Sequence, residues 1–114
     1  MSAITTHVLD TAQGRPASGV PVVLEMATAG HRWSVLGKAR TDSNGRITNL
    51  LPADPPLEAG TYRLTFETSI YFQSQKLESF YPRVTVVFTV KDSRQHYHLP
   101  LLLSPYGYTT YRGS

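Results

Sequence analysis

The chain has 114 residues, 40% of them hydrophobic and 17% charged, which predicts one globular domain over residues 1–114 and excludes a disordered polypeptide. Lys and Arg total 11 against 8 Asp and Glu, a formal net charge of +3, but these cations are scattered, so no nucleic-acid partner is expected. The absence of cysteine excludes disulfides and a thiolate nucleophile, and no run approaches the ~18 apolar residues that a membrane span requires.

Strand signals occupy the first half of the chain. Polar and apolar residues alternate over residues 4–9, which predicts a first strand. After the turn-forming residues 14–19, a β-branched run predicts a second strand over residues 20–24. Residues 31–41 predict a third strand, which ends in the tight-turn sequence Asp42-Ser-Asn-Gly45.

The second half of the chain continues the pattern of short strands and turns, with one helix. The predicted elements are strands over residues 60–66, 84–90 and 96–103 and a helix over residues 69–77. Thr68 or Ser69 is the expected N-cap of the helix, and residues 52–56 are expected to form a loop. Pro100 lacks a backbone N–H, which predicts a sheet edge or a bulge at that position. Short strands at fairly regular spacing predict an all-β sandwich.

Alternation along a strand also assigns its faces. In the last predicted strand one face is uniformly apolar and is expected to lie against the core: Tyr97, Leu99, Leu101 and Leu103. His96 and His98 therefore point outward, and the first strand likewise places His7 opposite its more apolar face. Leu9 and Leu102 lie on these outward faces, which indicates that another subunit covers them.

The outward histidines allow two interpretations. Solvated surface histidines account for each of them singly, whereas a His-x-His pair with a third histidine is also the ligand set of a carbonic-anhydrase-like zinc site. Nothing in the sequence places His7 near His96 and His98. Arg46, after its turn, and Tyr111, in the tail, are equally compatible with surface positions. The residues alone predict a small β-sandwich with an outward set of His, Arg and Tyr side chains that binds or hydrolyses a ligand.

Motifs spread almost from end to end carry a family resemblance. They are His7-Val-Leu-Asp10, Gly14-Arg-Pro-Ala17, Thr41-Asp-Ser-Asn-Gly-Arg46, Tyr71-Phe72, Glu78-Ser-Phe-Tyr-Pro82, His96-Tyr-His-Leu-Pro-Leu-Leu-Leu-Ser104 and the terminal Tyr111-Arg-Gly-Ser114. The last two are the most specific of the set. With these motifs the chain resembles the transthyretin-like proteins, in their enzyme branch, the 5-hydroxyisourate hydrolases.

The resemblance implies a transthyretin-like β-sandwich of seven to eight strands with one short helix. It also implies a homotetramer, a dimer of dimers, with active sites in a channel at the dimer–dimer interface, and this assembly would cover the outward leucines. Neither a metal nor a cofactor is implied. The N-terminal residues lack the basic start and apolar stretch of a signal peptide, so a cytoplasmic location is expected.

The activity that the resemblance implies is hydrolysis of 5-hydroxyisourate to 2-oxo-4-hydroxy-4-carboxy-5-ureidoimidazoline in urate (purine) degradation. The family pattern assigns catalysis to His7, Arg46 and His98, and substrate binding to His7, Arg46, Tyr111 and Ser114. One of His7 and His98 is expected to activate water while the other orients it or returns the proton. Arg46 is expected to polarise the carbonyl or hold the anionic heterocycle. His96 has at most a supporting role in this pattern.

Three other functions stay open at this point. A transthyretin-type carrier shares the fold and would bind small hydrophobic ligands in the tetramer channel. The polar character of His7, His98 and the Tyr-Arg-Gly-Ser end argues against such a carrier. A zinc hydrolase would be recognised by its metal content, and a module that only binds other proteins would be recognised by a monomeric state.

Overall fold

The computed structural model describes residues 2–52 and 56–114, and most of the predicted loop over residues 52–56 lies outside the described residues. Within them the chain forms nine strands and one helix: β1 Ile4–Asp10, β2 Arg15–Pro16, β3 Pro21–Thr28, β4 Arg32–Arg40, β5 Arg46–Ile47, β6 Gly60–Phe66, α1 Thr68–Ser74, β7 Val84–Val90, β8 Tyr97–Ser104 and β9 Gly107–Thr110. No helix in this part of the chain is long and apolar enough to cross a membrane.

The strands form two sheets that enclose one core. The first sheet has the order β2-β1-β8-β9 with β5 also paired to β1, and the second has the order β4-β3-β6-β7. β1 and β8 run parallel, whereas the other pairs are antiparallel. One buried apolar cluster takes side chains from both sheets, among them Val8, Leu101, Leu24 and Leu64. Only β2 and β5 are as short as two residues, which leaves seven longer strands. The predicted all-β sandwich with one short helix is confirmed.

Strand positions follow the sequence pattern closely. β6 and β7 coincide with the strands predicted over residues 60–66 and 84–90. β3 continues beyond the predicted residues 20–24 because β4 pairs with it as far as Thr28 and Arg32. Tertiary pairing, and not the local pattern, therefore decides where this strand ends.

The helix differs from its prediction at both ends. α1 covers Thr68–Ser74, and its N-cap position is Glu67, which makes no side-chain cap hydrogen bond, so neither Thr68 nor Ser69 caps it. The chain leaves the helix where Lys76 adopts a left-handed φ of 59°. Thr68 is instead buried inside the first turn, and its hydroxyl has no hydrogen-bond partner among the described residues.

β8 turns alternate side chains to opposite faces, as the alternation predicted. The four residues of its core face are at most 7% exposed: Tyr97, Leu99, Leu101 and Leu103. On the other side of the strand, His98 is half-buried and the preceding His96 is exposed. The outward direction predicted for the histidines is confirmed.

Pro100 lies on an inner strand between β1 and β9, and neither pairing shifts register there, so the expectation of a sheet edge or a bulge was wrong. The ladder between β8 and β9 ends at the pair Leu101 and Thr110 and resumes only as an isolated bridge between His98 and Gly113. Pro100 occupies this interruption, where no N–H is required of it, and its carbonyl accepts the Thr110 hydroxyl at 2.8 Å. A broken ladder accommodates the proline inside the sheet.

Candidate active site

β1, β5 and β8 bring three predicted site residues to one face of the first sheet. His7 lies directly opposite Arg46 in the antiparallel pair β1–β5, and side chains of opposite residues lie on the same face. His98 lies opposite Thr5 in the parallel pair β1–β8, and Thr5 shares a face with His7 because strand side chains repeat every two residues. His7, Arg46 and His98 therefore gather on the outer face of the sheet.

The turn before β5 fixes the position of Arg46. The Asp42 carboxylate accepts hydrogen bonds from the backbone N–H groups of Asn44 at 2.8 Å and Arg46 at 2.9 Å. Gly45 has a left-handed φ of 75°, and a Cβ there would lie 2.3 Å from the Val8 carbonyl oxygen. Its own carbonyl accepts the Val8 N–H at 2.7 Å. The tight turn is thereby held against β1, and the next residue, Arg46, is placed beside His7.

A hollow of about 200 Å³ opens on this face. It is lined by Arg46, His96, His98 and Ser114 together with three threonines. A guanidinium, two imidazoles and several hydroxyls make it a polar site with many hydrogen-bond donors. Such a lining suits a small, polar, electron-rich ligand better than an apolar one.

The imidazoles on this face are biased toward the neutral form. Burial lowers the pKa of His7 below its ordinary 6.5, and the Arg46 guanidinium lowers it further. Burial is also the main reason why the pKa of His98 is lowered. The positive charges of Arg46, His96 and His7 lower it further. Near pH 7 both rings therefore carry one nitrogen lone pair that can accept a proton.

The tail reaches the hollow through Gly113. Its N–H donates to the His98 carbonyl at 2.8 Å, and this bridge brings Ser114 into the lining. Tyr111, 54% exposed, borders a different hollow of about 290 Å³ between the sheets, next to Phe88 of β7 and Leu99 of β8. Within one chain, therefore, the structure brings Ser114 but not Tyr111 to the hollow beside His98.

Thr5 is a site residue that the sequence pattern did not single out. Its hydroxyl oxygen lies 3.0 Å from His96 Nε2 and 2.8 Å from His98 Nδ1. Only the parallel pairing of β1 with β8 creates these contacts, across more than 90 positions of sequence. Alternation could show that Thr5 shares a face with His7, but it carries no signal for the neighbouring strand.

The zinc alternative needs three ligands at one point. Among residues 2–52 and 56–114, no group of three or more His, Cys, Asp or Glu side chains is arranged to hold a metal ion. The ring centroids of His96 and His98 are 6.4 Å apart, and the ring nitrogens that face each other are bridged by the Thr5 hydroxyl. His96 and His98 are therefore arranged to hydrogen-bond to the Thr5 hydroxyl and not to share a metal ion.

The fold and the hollow together define a class of protein: a transthyretin-like β-sandwich with a polar hollow, lined by two histidines and one arginine, on the outer face of one sheet. The chain belongs to the HIUase/Transthyretin family, whose model matches residues 4–113.

Relatives from both branches of this family resemble the chain. A 5-hydroxyisourate hydrolase of Mus musculus is 47% identical over 114 residues, which cover 99% of this chain and 96% of the relative. The solved 5-hydroxyisourate hydrolase of Klebsiella pneumoniae is 39% identical, with 100% of both chains covered and a TM-score of 0.85. Sea bream transthyretin in complex with thyroxine is 34% identical, covers 98% of this chain and 95% of its own, and has a TM-score of 0.92. The backbone is common to both branches, whereas sequence identity is higher to the hydrolases.

Proposed function

We propose that this protein is a cytoplasmic enzyme that hydrolyses 5-hydroxyisourate to 2-oxo-4-hydroxy-4-carboxy-5-ureidoimidazoline. The observation that carries the proposal is the gathering of His7, Arg46 and His98 on one face, with the pKa of both imidazoles lowered toward the neutral, proton-accepting form. The names of the hydrolase relatives from Mus musculus and Klebsiella pneumoniae support the same substrate.

The proposed reaction divides the work among these side chains. Water attacks a ring carbonyl carbon of the substrate while a neutral imidazole, His7 or His98, takes one of its protons. The carbonyl oxygen gains negative charge as the C–O bond forms, and the guanidinium of Arg46 stabilises that charge through its fixed N–H donors. The C–N bond then breaks, the carbonyl re-forms, and the leaving nitrogen takes a proton from a ring nitrogen of His7 or His98. The ring opens, and the catalytic groups return to their starting protonation.

Substrate binding in this proposal uses the polar lining of the hollow. Arg46 holds the oxygen-rich heterocycle and Ser114 adds a hydroxyl from the tail. His7 does not line the hollow and would reach the heterocycle from its position opposite Arg46 on the same face. Tyr111 stays a predicted substrate contact, since within one chain it borders the other hollow.

The proposed assembly is a homotetramer, a dimer of dimers, with the sites at the dimer–dimer interface. Leu9 and Leu102 support it, because both lie on the face of His7 and His98 and both remain partly exposed in the single chain. Sedimentation equilibrium tests the assembly directly. A species of four chains is expected, and a monomer at micromolar concentration would overturn it and favour a module that only binds other proteins.

A carrier is the second candidate function. The backbone match to sea bream transthyretin in complex with thyroxine favours it. The lining of the hollow argues against it, because a guanidinium and two imidazoles would have to be desolvated beside an apolar ligand. A ligand of the hormone type would therefore bind weakly at this face.

The test uses 5-hydroxyisourate made freshly from urate with urate oxidase, and follows its ultraviolet absorbance with and without the protein. Faster decay is expected, and it should persist in EDTA. Loss of activity in EDTA would favour the zinc hydrolase, and no acceleration by a folded tetramer would overturn the proposal. Arg46→Ala should remove the acceleration, whereas Arg94→Ala serves as a matched control because the exposed Arg94 side chain bonds only to Asp92.

A further inference from the structure

The Thr5 hydroxyl occupies an unusual position between two imidazoles. It lies 3.0 Å from Nε2 of His96 and 2.8 Å from Nδ1 of His98, and Thr5 is only 3% exposed. Although Thr5 lines the hollow, its side chain is almost fully buried, and the two hydrogen bonds of its hydroxyl go to the two rings. Both rings line the hollow, but His96 is exposed to solvent whereas His98 is half-buried. The hydroxyl therefore connects a half-buried ring with a solvent-exposed ring of the same hollow.

The single proton of this hydroxyl gives the chain of hydrogen bonds a direction. Thr5 donates once, so one ring nitrogen must accept from it while the other donates to it. The ring of His98 turns Nδ1 to Thr5, which leaves Nε2 as its nitrogen for a ligand in the hollow. Arg46, which lines the same hollow, has only donors, so a lone pair on Nε2 is the complementary choice. The direction that results is His98 Nδ1–H to Thr5 Oγ, and Thr5 Oγ–H to His96 Nε2.

We propose that Thr5 is a positioning residue that holds His98 in the Nδ1–H form and, with His96, forms a proton relay from the half-buried His98 to solvent. The relay rests on the proposed hydrolysis, since the proton that it carries is the one released by the attacking water.

The transfer balances in protons and charge. His98 Nε2 takes a proton from water, its Nδ1–H moves to Thr5 Oγ, and the Thr5 proton moves to His96 Nε2. The exposed His96 then loses its Nδ1 proton to bulk water. Every ring ends neutral, and His98 now carries its proton on Nε2, ready for the leaving nitrogen. When that proton is given up, the same steps run backwards, and His96 takes one proton from bulk water.

The relay avoids a positive charge on His98 next to the positive charge of Arg46. Arg46 from β5, His7 from β1 and His96, which precedes β8, all face His98, and a guanidinium nearby opposes an imidazolium there. By passing a proton on from Nδ1 as Nε2 receives one, His98 acts as a base without holding a positive charge beside Arg46. The charge is transferred to His96, where water solvates it.

The spectroscopic test needs no substrate. Ring ¹⁵N chemical shifts of His98 at pH 8 report which nitrogen carries the proton, and the Nδ1–H form is expected in the wild-type protein and in Thr5→Ser. Thr5→Val removes the hydroxyl, and His96→Ala leaves the hydroxyl to donate to His98, so both should convert His98 to the Nε2–H form. His96→Ala changes an exposed side chain, so it gives a result even if Thr5→Val does not fold. An Nε2–H form in the wild-type protein, or an unchanged tautomer in His96→Ala, would overturn the relay.

The kinetic test separates a relay from simple packing. Thr5→Val and His96→Ala should each lower kcat about 10- to 100-fold, less than the ~10²- to 10⁴-fold that a general base itself contributes, and leave KM within about twofold, while Thr5→Ser keeps most of kcat. The double variant should lose no more than the worse single variant, because both changes break one chain. Additive losses would overturn the relay. A wild-type protein without hydrolase activity but with the expected tautomers would overturn the proposed function and leave the hydrogen-bonded chain in place.

Discussion

Gly113 and His98 lie in direct contact at the point where the tail meets β8. The Gly113 N–H donates to the His98 carbonyl at 2.8 Å, and a Cβ on Gly113 would lie 2.8 Å from His98 Cδ2. Real Cβ atoms essentially never approach another heavy atom so closely. Only glycine lets the tail lie against the imidazole and carry Ser114 into the hollow.

Gly113→Ala should therefore impair catalysis with little effect on stability. The added methyl group pushes the tail or the His98 ring aside, and we expect kcat/KM for 5-hydroxyisourate to fall about tenfold, because a displacement of the order of 1 Å is costly in an active site. Gly107→Ala is the matched control, since its Cβ would meet only Ser104 Oγ at an ordinary 3.7 Å. Equal activity of the two variants would contradict the role given to Gly113.

The two imidazoles of the site should both matter to turnover. His98→Asn and His7→Asn each remove a neutral proton acceptor beside Arg46, and a loss of about 10²- to 10⁴-fold in kcat is expected for the residue that acts as the base. His31→Asn is the control, because His31 is exposed in the turn between β3 and β4, and asparagine tolerates its left-handed φ of 60°. Full turnover by both site variants would refute histidine catalysis.

The pH dependence of activity should reflect the lowered pKa values of His7 and His98. A lowered pKa means that each ring becomes neutral at a lower pH than an ordinary histidine, so activity should persist below pH 6.5 and fall only as the rings protonate. NMR titration of the ring protons measures both pKa values without substrate. Arg46→Gln removes one of the positive charges and should move both pKa values upward, toward 6.5.

A matched control variant tests whether the change in the two pKa values is specific to Arg46. Arg94→Gln removes an exposed guanidinium that is paired with Asp92 and does not line the hollow. It should leave the pKa values of His7 and His98 where they are. Values above 6.5 in the wild-type protein, or the same titration in Arg46→Gln, would contradict the electrostatics described for this face.

The stability of the fold should depend on a buried carboxylate at the end of β1. Asp10 is 1% exposed and accepts the Tyr71 hydroxyl at 2.7 Å, together with the backbone and side-chain N–H groups of Gln13 at 3.0 and 2.9 Å. Burial, with a contribution from Asp10, raises the pKa of Tyr71 to about 12, so the phenol keeps its proton and donates.

Tyr71→Phe removes one donor from this carboxylate and should lower the free energy of unfolding by about 1–3 kcal/mol. Urea denaturation with kcat measured in parallel checks it, and we expect turnover per folded molecule to stay unchanged. Tyr106→Phe is the control, because Tyr106 is 69% exposed. Identical midpoints for the two variants would show that the carboxylate does not need Tyr71.

The sequence by itself determined six of the nine strands described, and the direction of their side chains, but it gave no prediction for the short strands β2, β5 and β9. Alternation fixes which residues share a face, because successive Cβ atoms point to opposite sides of a strand, and so His98 could be placed outward and Leu101 inward. The turn before Arg46 could also be predicted from the sequence, because Asp42 and Gly45 stabilise it through local contacts. The family motifs named the residues His7, Arg46 and His98, but not the contacts between them.

Only the tertiary structure decided which strands lie side by side, and hence what the site contains. The parallel pairing of β1 with β8 puts Thr5 between His96 and His98, and the bridge from Gly113 to His98 puts Ser114 in the hollow while Tyr111 borders another. The tertiary structure also decided how Pro100 fits on an inner strand. The pairing of β8 with β9 is interrupted at Pro100, so no backbone N–H is needed there. Hydrogen bonds between strands join residues that are distant in sequence, and no local pattern of polar and apolar residues records them.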